Sequence, residues 1–115
     1  MGATEDERRE VVVGATREIA QLDLLVQACR QMQDELRVSL SLMEEGYTMT
    51  TILSRGGSPG VIPRLTEALE ATNAARRHGR GAMIRLALAE GMTTTQLGER
   101  LGISRQLVAR YRDEG

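Results

Sequence analysis

Five side chains near the C-terminus have types and spacings suited to recognising a surface by hydrogen bonding. They are Arg105, Gln106, Ala109, Arg110 and Arg112. An arginine donates a planar pair of hydrogen bonds that fits a guanine edge, a glutamine amide fits adenine, and an alanine methyl fits the methyl of thymine. Acidic residues follow only at positions 113 and 114. The pattern favours a recognition surface over a merely solvated helix face, which would more often mix in acidic residues.

Two short helices would have to hold this face in place. Leu97 and Leu101 lie four residues apart and predict the inner side of the first helix. Gly98, between them, leaves room where the second helix crosses closest. The spacing of Thr93 and Gln96 is that of a capping box, which predicts where the first helix begins.

The turn and the second helix have their own signals. Gly102 follows the last apolar residue of the first helix, where a left-handed residue without a Cβ is commonly needed. Ile103 would fill the turn, and Ser104 is a preferred N-cap residue. Val108 and Tyr111 lie three residues apart and predict the side that faces the first helix.

Residues 92–113 resemble the helix-turn-helix DNA-binding unit of bacterial and phage repressors, and the resemblance extends over 81–114. It implies binding to double-stranded DNA, with the helix over 104–113 in the major groove. The base contacts expected from it are those of Ser104, Arg105, Gln106, Ala109 and Arg110. Contacts to the DNA backbone are expected from Thr93, Thr94, Thr95, Arg76, Arg77, Arg80 and Arg112.

The distribution of charge agrees with this resemblance, although the net charge of −1 alone does not. Residues 1–72 hold 7 Arg and 12 acidic residues, a net charge of −5, whereas residues 73–115 hold 8 Arg and 4 acidic residues, a net charge of +4. The basic part of the chain is therefore the part with the predicted DNA-binding unit.

A basic segment over 76–81 precedes the unit and contains Arg76, Arg77, His78 and Arg80 with two glycines. It is predicted to join one helix that begins near Pro63 to a second helix over 82–90. Its cations either belong to a solvated linker or meet phosphate, and their place beside the unit favours phosphate. His78 has no carboxylate or nucleophile beside it in the sequence, so it is interpreted as part of this joint.

The N-terminal region carries an apolar stripe with heptad spacing. A helix over 12–43 would be about 48 Å long. It would have nothing of its own against which to bury the whole stripe, so the spacing predicts a homodimer. The predicted interface residues are Val12, Ala15, Ile19, Leu22, Val26, Cys29, Gln33 and Leu36, and the stripe continues through Leu40 and Met43.

Other residues of this helix qualify the prediction. Val11, Leu25 and Met32 widen the stripe, which indicates that the helix also packs on its own chain or enters a four-helix bundle across a dimer. Gln33 has two interpretations. It sets the register of the two helices, because its amide is hydrogen-bonded when paired across a two-fold axis and is buried without a partner in another register. Alternatively, it lies at the exposed edge of the stripe.

A weaker copy of the C-terminal unit lies about 45 residues earlier, where residues 45–52 align with 90–97. Duplication is favoured over chance similarity between two amphipathic stretches. After one skipped residue, Ile62 aligns with Val108. Because proline and glycine interrupt its second helix, this copy is predicted not to recognise bases. The expected elements are a short helix over 50–54, a loop over 55–60 and a helix that begins near Pro63.

Composition and periodicity predict an all-α fold, since only 2 Tyr are aromatic and alternating β-branched runs are nearly absent. The predicted organisation is a long dimerisation helix over 1–46, a degenerate repeat with a connecting helix over 47–79, and the DNA-binding unit over 80–115. A single Cys and a single His leave no internal disulfide and no common zinc site, and no cofactor is predicted. An enzyme is disfavoured because no acid–base pair or phosphate-binding loop is found.

The acidic N-terminus and the lack of a long apolar run predict neither a secretory signal nor a membrane span. The expected location is a reducing bacterial cytoplasm, in association with the nucleoid. The leading hypothesis is a small dimeric transcriptional regulator. The alternative is a protein-interaction module that docks on the transcription machinery or on another DNA-bound protein, and it predicts that the arginines over 104–113 are engaged in intramolecular salt bridges.

Overall fold

The protein is all-α throughout the part that the computed structural model describes, which is residues 2–55 and 61–114, with side chains from Thr4 onward. This confirms the predicted fold class. The helices are α1 (Gly2–Glu44), α2 (Met49–Arg55), α3 (Val61–Ala89), α4 (Thr94–Leu101) and α5 (Arg105–Asp113).

The chain divides into two compact units that differ from the predicted organisation. The first consists of Met1–Ala20 together with Thr72–Gly115, and the second is Gln21–Ala71. The predicted borders near positions 46 and 79 followed the expected ends of helices. They do not coincide with the units because α1 and α3 each contribute residues to both.

The predicted joint over 76–81 is wrong, because α3 continues through it without interruption. Gly79 and Gly81 lie in the helix interior, where each glycine costs about 1 kcal/mol of helix stability relative to alanine. Their role in the first unit is close packing. A Cβ on Gly81 would lie 2.9 Å from the carbonyl oxygen of Tyr111, and one on Gly79 would lie 2.8 Å from a carboxylate oxygen of Glu18. Tertiary contacts therefore keep helical a segment that local propensity marks as a break.

Helices α1 and α3 end in the same way, 45 residues apart. Gly46 has φ of +97° and Gly91 has φ of +108°, a region that favours glycine. In both places the glycine N–H and the following N–H donate to carbonyls of the last helical turn. Thr48 and Thr93 then cap the next helix, accepting hydrogen bonds at 3.2 Å and 3.1 Å. The first part of the predicted repeat therefore has the same local structure in both copies, a glycine that ends one helix and a threonine that caps the next.

The second part of the repeat is out of register by one residue. Val61 is buried and Ile62 is 69% exposed, although the alignment set Ile62 opposite the fully buried Val108. The predicted short helix is present as α2, and α3 begins two residues before Pro63, which places this proline in the first turn where it is tolerated. Most of the predicted loop, residues 56–60, lies outside the described residues.

Helix α1 has two neighbouring stripes. The inner stripe is buried or half-buried on its own chain at each described member, and it includes Val11, Leu25 and Met32, which widen the predicted stripe. The outer stripe is one position further along and is exposed at every member. The outer stripe consists of Val12, Ala15, Ile19, Leu22, Val26, Cys29, Gln33, Leu36, Leu40 and Met43.

The outer stripe is also the more apolar of the two. The inner stripe includes polar residues such as Glu18, Gln21 and Glu35. By contrast, Ile19 is 63% exposed and Leu40 is 59% exposed on the outer stripe. The chain alone thus leaves uncovered the apolar side chains on which the prediction of a dimer rests.

Candidate nucleic-acid interface

A small core in the first unit holds the last two helices. Ile84 of α3, Leu97 of α4 and Val108 of α5 form a buried cluster, and Val108 is fully inaccessible. Partly buried side chains pack around this cluster, namely Ala87, Leu88, Met92, Leu101, Ile103 and Tyr111. The predicted inward positions of α4 and α5 are confirmed. On α3 the buried position is Ile84, whereas its neighbour Met83 is 49% exposed.

Both ends of α4 are fixed by the residues that predicted them. Thr93 and Gln96 form a complete capping box, in which the Thr93 N–H donates to the Gln96 side chain at 2.9 Å. At the other end Gly102 is left-handed, with φ of +69°. Gly98 leaves room for the turn, since a Cβ there would lie 2.8 Å from the carbonyl oxygen of Ile103.

Helix α5 begins at a defined residue. The Ser104 hydroxyl accepts a hydrogen bond of 3.0 Å from the Leu107 N–H, and the Ser104 carbonyl accepts one from the Val108 N–H. This N-cap places Arg105 and Gln106 in the first turn. A helix with a capped start and a buried centre presents its outer side chains in a fixed orientation.

The predicted base-contacting side chains lie on the accessible side of α5. Ser104, Arg105, Gln106 and Arg110 are exposed, and Ala109 is half-buried. Within the described residues, neither Arg105 nor Arg110 takes part in an ion pair. Their guanidinium groups are therefore available to a partner.

Arg112 differs from these two arginines. Its Nε lies 2.9 Å from an oxygen of Asp113, and both side chains are solvent-exposed. The hydrogen bond and the charge of Asp113 raise the pKa of Arg112 above its usual value. The hydrogen bond from Arg112 lowers the pKa of Asp113. The positive charge predicted to meet the DNA backbone here is partly neutralised by its neighbour.

The other predicted backbone contacts lie at two places in the first unit. Thr93 and Thr95 are exposed and Thr94 is half-buried, all at the start of α4. On α3, the Arg80 guanidinium lies over the ring of Tyr111, 5.8 Å from its centre. Arg77 and His78 line a shallow pocket with Tyr111, which places them beside the end of α5. Arg76 is exposed on the same helix.

Arg85 is the residue that the sequence analysis missed. Its side chain is only 20% exposed, and its Nη2 lies 3.3 Å from a carboxylate oxygen of Glu10. Its Nη1 donates to the carbonyl oxygen of Arg112, also at 3.3 Å. A cation at the end of a helix stabilises the exposed carbonyls there. Arg85 thereby ties the end of α5 to α3 and to α1, through contacts distant in sequence that no local pattern indicates.

No family model, curated protein or solved structure matches the chain. Among the described residues, no group of His, Cys, Asp and Glu is arranged to hold a metal ion. None of the helices in that part of the chain combines the length and apolar character that crossing a membrane requires.

Proposed function

We propose that the protein binds double-stranded DNA, with α5 in the major groove. One observation carries the proposal. Arg105, Gln106 and Arg110 are exposed on a capped helix whose opposite side is buried, and neither arginine is engaged in an ion pair within the described residues. These side-chain types recognise guanine and adenine edges by paired hydrogen bonds.

The start of α4 supports a second contact, to phosphate. The capping box uses the N–H of Thr93 and of Gln96, and the Leu97 N–H donates to the Thr93 carbonyl. In the described part of the chain no hydrogen bond is made by the N–H of Thr94 or Thr95. Free N–H groups at a helix start favour an anion, because the helix dipole is positive there.

The predicted biological role is that of a small bacterial transcriptional regulator that acts as a homodimer. Its support is the coincidence of two surfaces on one chain: a basic unit with an accessible α5, and an apolar outer stripe on α1. A dimer presents two copies of α5, and such proteins bind sites made of two related half-sites.

The alternative is a module that docks on another protein through α4 and α5. That hypothesis predicts arginines of α5 engaged in intramolecular salt bridges. Of the three arginines of α5, Arg112 is engaged in this way, while Arg105 and Arg110 have no ion pair within the described residues. This difference favours DNA over a protein as the partner of α5.

Selection of bound fragments from a pool of random double-stranded DNA tests the proposal. The expected result is enrichment of one sequence, with two related half-sites if the bound species is a dimer. The matched control is the variant with Arg105→Ala and Arg110→Ala, which keeps the buried cluster and should lose the enrichment. Absence of any enriched sequence for the wild-type protein, at low salt as well as at physiological salt, would overturn the proposal.

A further inference from the structure

We infer that the outer stripe of α1 binds the same stripe of a second copy of the chain, with the two helices antiparallel. The unit Gln21–Ala71 supplies the first argument. Its buried hydrophobic residues in the described part are only Ala28, Ile52 and Val61. In the same unit the outer-stripe residues Leu22, Val26, Leu36, Leu40 and Met43 are between 43% and 59% exposed.

The amount of exposed apolar surface fits a dimer. Covering seven such half-exposed side chains, from Val12 to Met43, removes roughly 500 Å² of apolar surface per chain. A standard interface buries about 800 Å² per partner, and somewhat more than half of it is apolar. The outer stripe with a polar rim therefore has the size of an ordinary specific interface.

The heptad spacing assigns the partner of each residue. When a two-fold axis passes between Gln27 and Ala28, Val26 faces Cys29 of the second copy. Leu22 then faces Gln33. The same spacing continues outward in the sequence, and every member of the outer stripe meets another member. The outward pairs are Ile19 with Leu36, Ala15 with Leu40, and Val12 with Met43.

Charge decides between the two possible directions. In the antiparallel arrangement Asp23 lies within one helical turn of both Arg30 and Gln33 of the second copy. Asp23 and Arg30 are exposed, and neither has an ion pair within the described residues. The carboxylate of Asp23 accepts hydrogen bonds from both groups, so Gln33 is satisfied without a second glutamine opposite it.

A parallel arrangement is less favourable for the same side chains. Asp23 and Arg30 of the second copy then lie seven residues apart, about 10 Å along the axis, and the ion pair between them is lost. A parallel arrangement also places Cys29 opposite Cys29 and Gln33 opposite Gln33. The ion pairs that only the antiparallel arrangement allows favour that direction.

Disulfide cross-linking of the full chain tests the direction. Cys29→Ser provides a background without cysteine, into which Leu22→Cys, Gln33→Cys or both are introduced. In the antiparallel dimer, two residues at position 22 lie about 16 Å apart along the axis, beyond the roughly 7 Å between Cα atoms that a disulfide spans. Oxidation should therefore give covalent dimers only with the double variant, through bonds between positions 22 and 33.

The single variants are the matched controls for this experiment. Covalent dimers of the Leu22→Cys variant would show the parallel arrangement and overturn the inference. Absence of covalent dimers in all three variants, or a wild-type protein that sediments as a monomer at micromolar concentration, would overturn it as well. If the outer stripe bound a different protein, no covalent dimers would form and the wild-type protein would sediment as a monomer.

Charge reversal gives a second test that leaves the apolar residues unchanged. Asp23→Arg and Arg30→Asp should each raise the dimer dissociation constant by about fivefold, since two pairs are lost by symmetry. The variant with both changes should return close to the wild-type value. Equal losses that add in the double variant would contradict the pairing. The inference rests on the homodimer of the proposed function and adds its direction. Because neither test uses DNA, failure of this pairing is distinguishable from failure of the proposed DNA binding.

Discussion

The backbone of Gly81 packs closely against the backbone of Tyr111. A Cβ added at Gly81 would lie only 2.9 Å from the carbonyl oxygen of Tyr111. This contact fixes how closely α5 lies on α3. A similar close approach occurs at Gly98, where a Cβ would lie 2.8 Å from the carbonyl oxygen of Ile103 in the turn between α4 and α5. The orientation of α5 therefore depends on two positions that have no side chain.

The first prediction concerns this contact. Gly81→Ala should lower the free energy of unfolding by about 1–3 kcal/mol, because backbone must shift to admit the methyl group. The matched control is Gly14→Ala, also inside a helix, where the new Cβ meets its nearest atom at 3.4 Å. It should raise stability by up to about 1 kcal/mol through helix propensity. Urea unfolding measures both, and a stabilising Gly81→Ala would contradict the close contact.

Assembly supplies the second prediction. Leu36 and Val38 are both 56% exposed on α1, but only Leu36 belongs to the outer stripe. Leu36→Asp, alone or with Leu22→Asp, should give monomers, because a charge would be buried in an apolar seam. Val38→Asp should leave the dimer intact. Analytical ultracentrifugation distinguishes these results, and equal behaviour of the two variants would show that general hydrophobicity, and not the outer stripe, drives association.

The parts of the fold that the sequence predicts correctly are determined by nearby residues. Gly46, Gly91 and Gly102 end their helices, and Thr93 and Ser104 begin theirs, through hydrogen bonds that span only a few positions. Such contacts depend on residue type and spacing, which a sequence displays directly. The fold class and the turn between α4 and α5 follow from them.

The parts that were missed depend on distant residues. Gly81 is held in a helix by Tyr111, 30 positions away, and Arg85 is held by Glu10 and by the carbonyl of Arg112. On α1, two stripes one position apart both have heptad spacing, and only tertiary structure determines which one its own chain covers. The contact of Gly81 explains why the predicted joint in α3 was wrong. For Val11, Leu25 and Met32 the sequence predicts packing on the same chain or in a four-helix bundle across a dimer, and all three are half-buried on their own chain.

The third prediction concerns the weaker repeat. Arg64 is exposed on α3, and it lines a shallow groove in the second unit with residues such as Glu67. Arg55 lies over the ring of Tyr47, 5.8 Å from its centre. Because the described residues that align with α5 form the start of the 29-residue α3, Arg64→Ala should leave the selected DNA sequence unchanged. A different enriched sequence for this variant would show that the repeat takes part in recognition.

The last prediction separates base contacts from backbone contacts. Arg105→Ala should cost about 1–3 kcal/mol of binding free energy on the preferred site and relax the choice at one base pair, because a paired hydrogen bond to a base is lost. Arg77→Ala and Arg80→Ala should weaken all sequences alike and reduce the salt slope by about one for each bound copy of the chain, because each copy loses one phosphate contact.

Titrations on the preferred and on an unrelated sequence, at several salt concentrations, measure both effects. Arg100 is a suitable control, since it is an exposed arginine of α4 outside the expected contacts. Its replacement by alanine should have the smallest effect. Equal losses on both sequences for every arginine would leave only charge-driven binding. If none of the variants lost affinity, α5 would not be the DNA-binding helix, and the protein-interaction hypothesis would then account better for its exposed arginines.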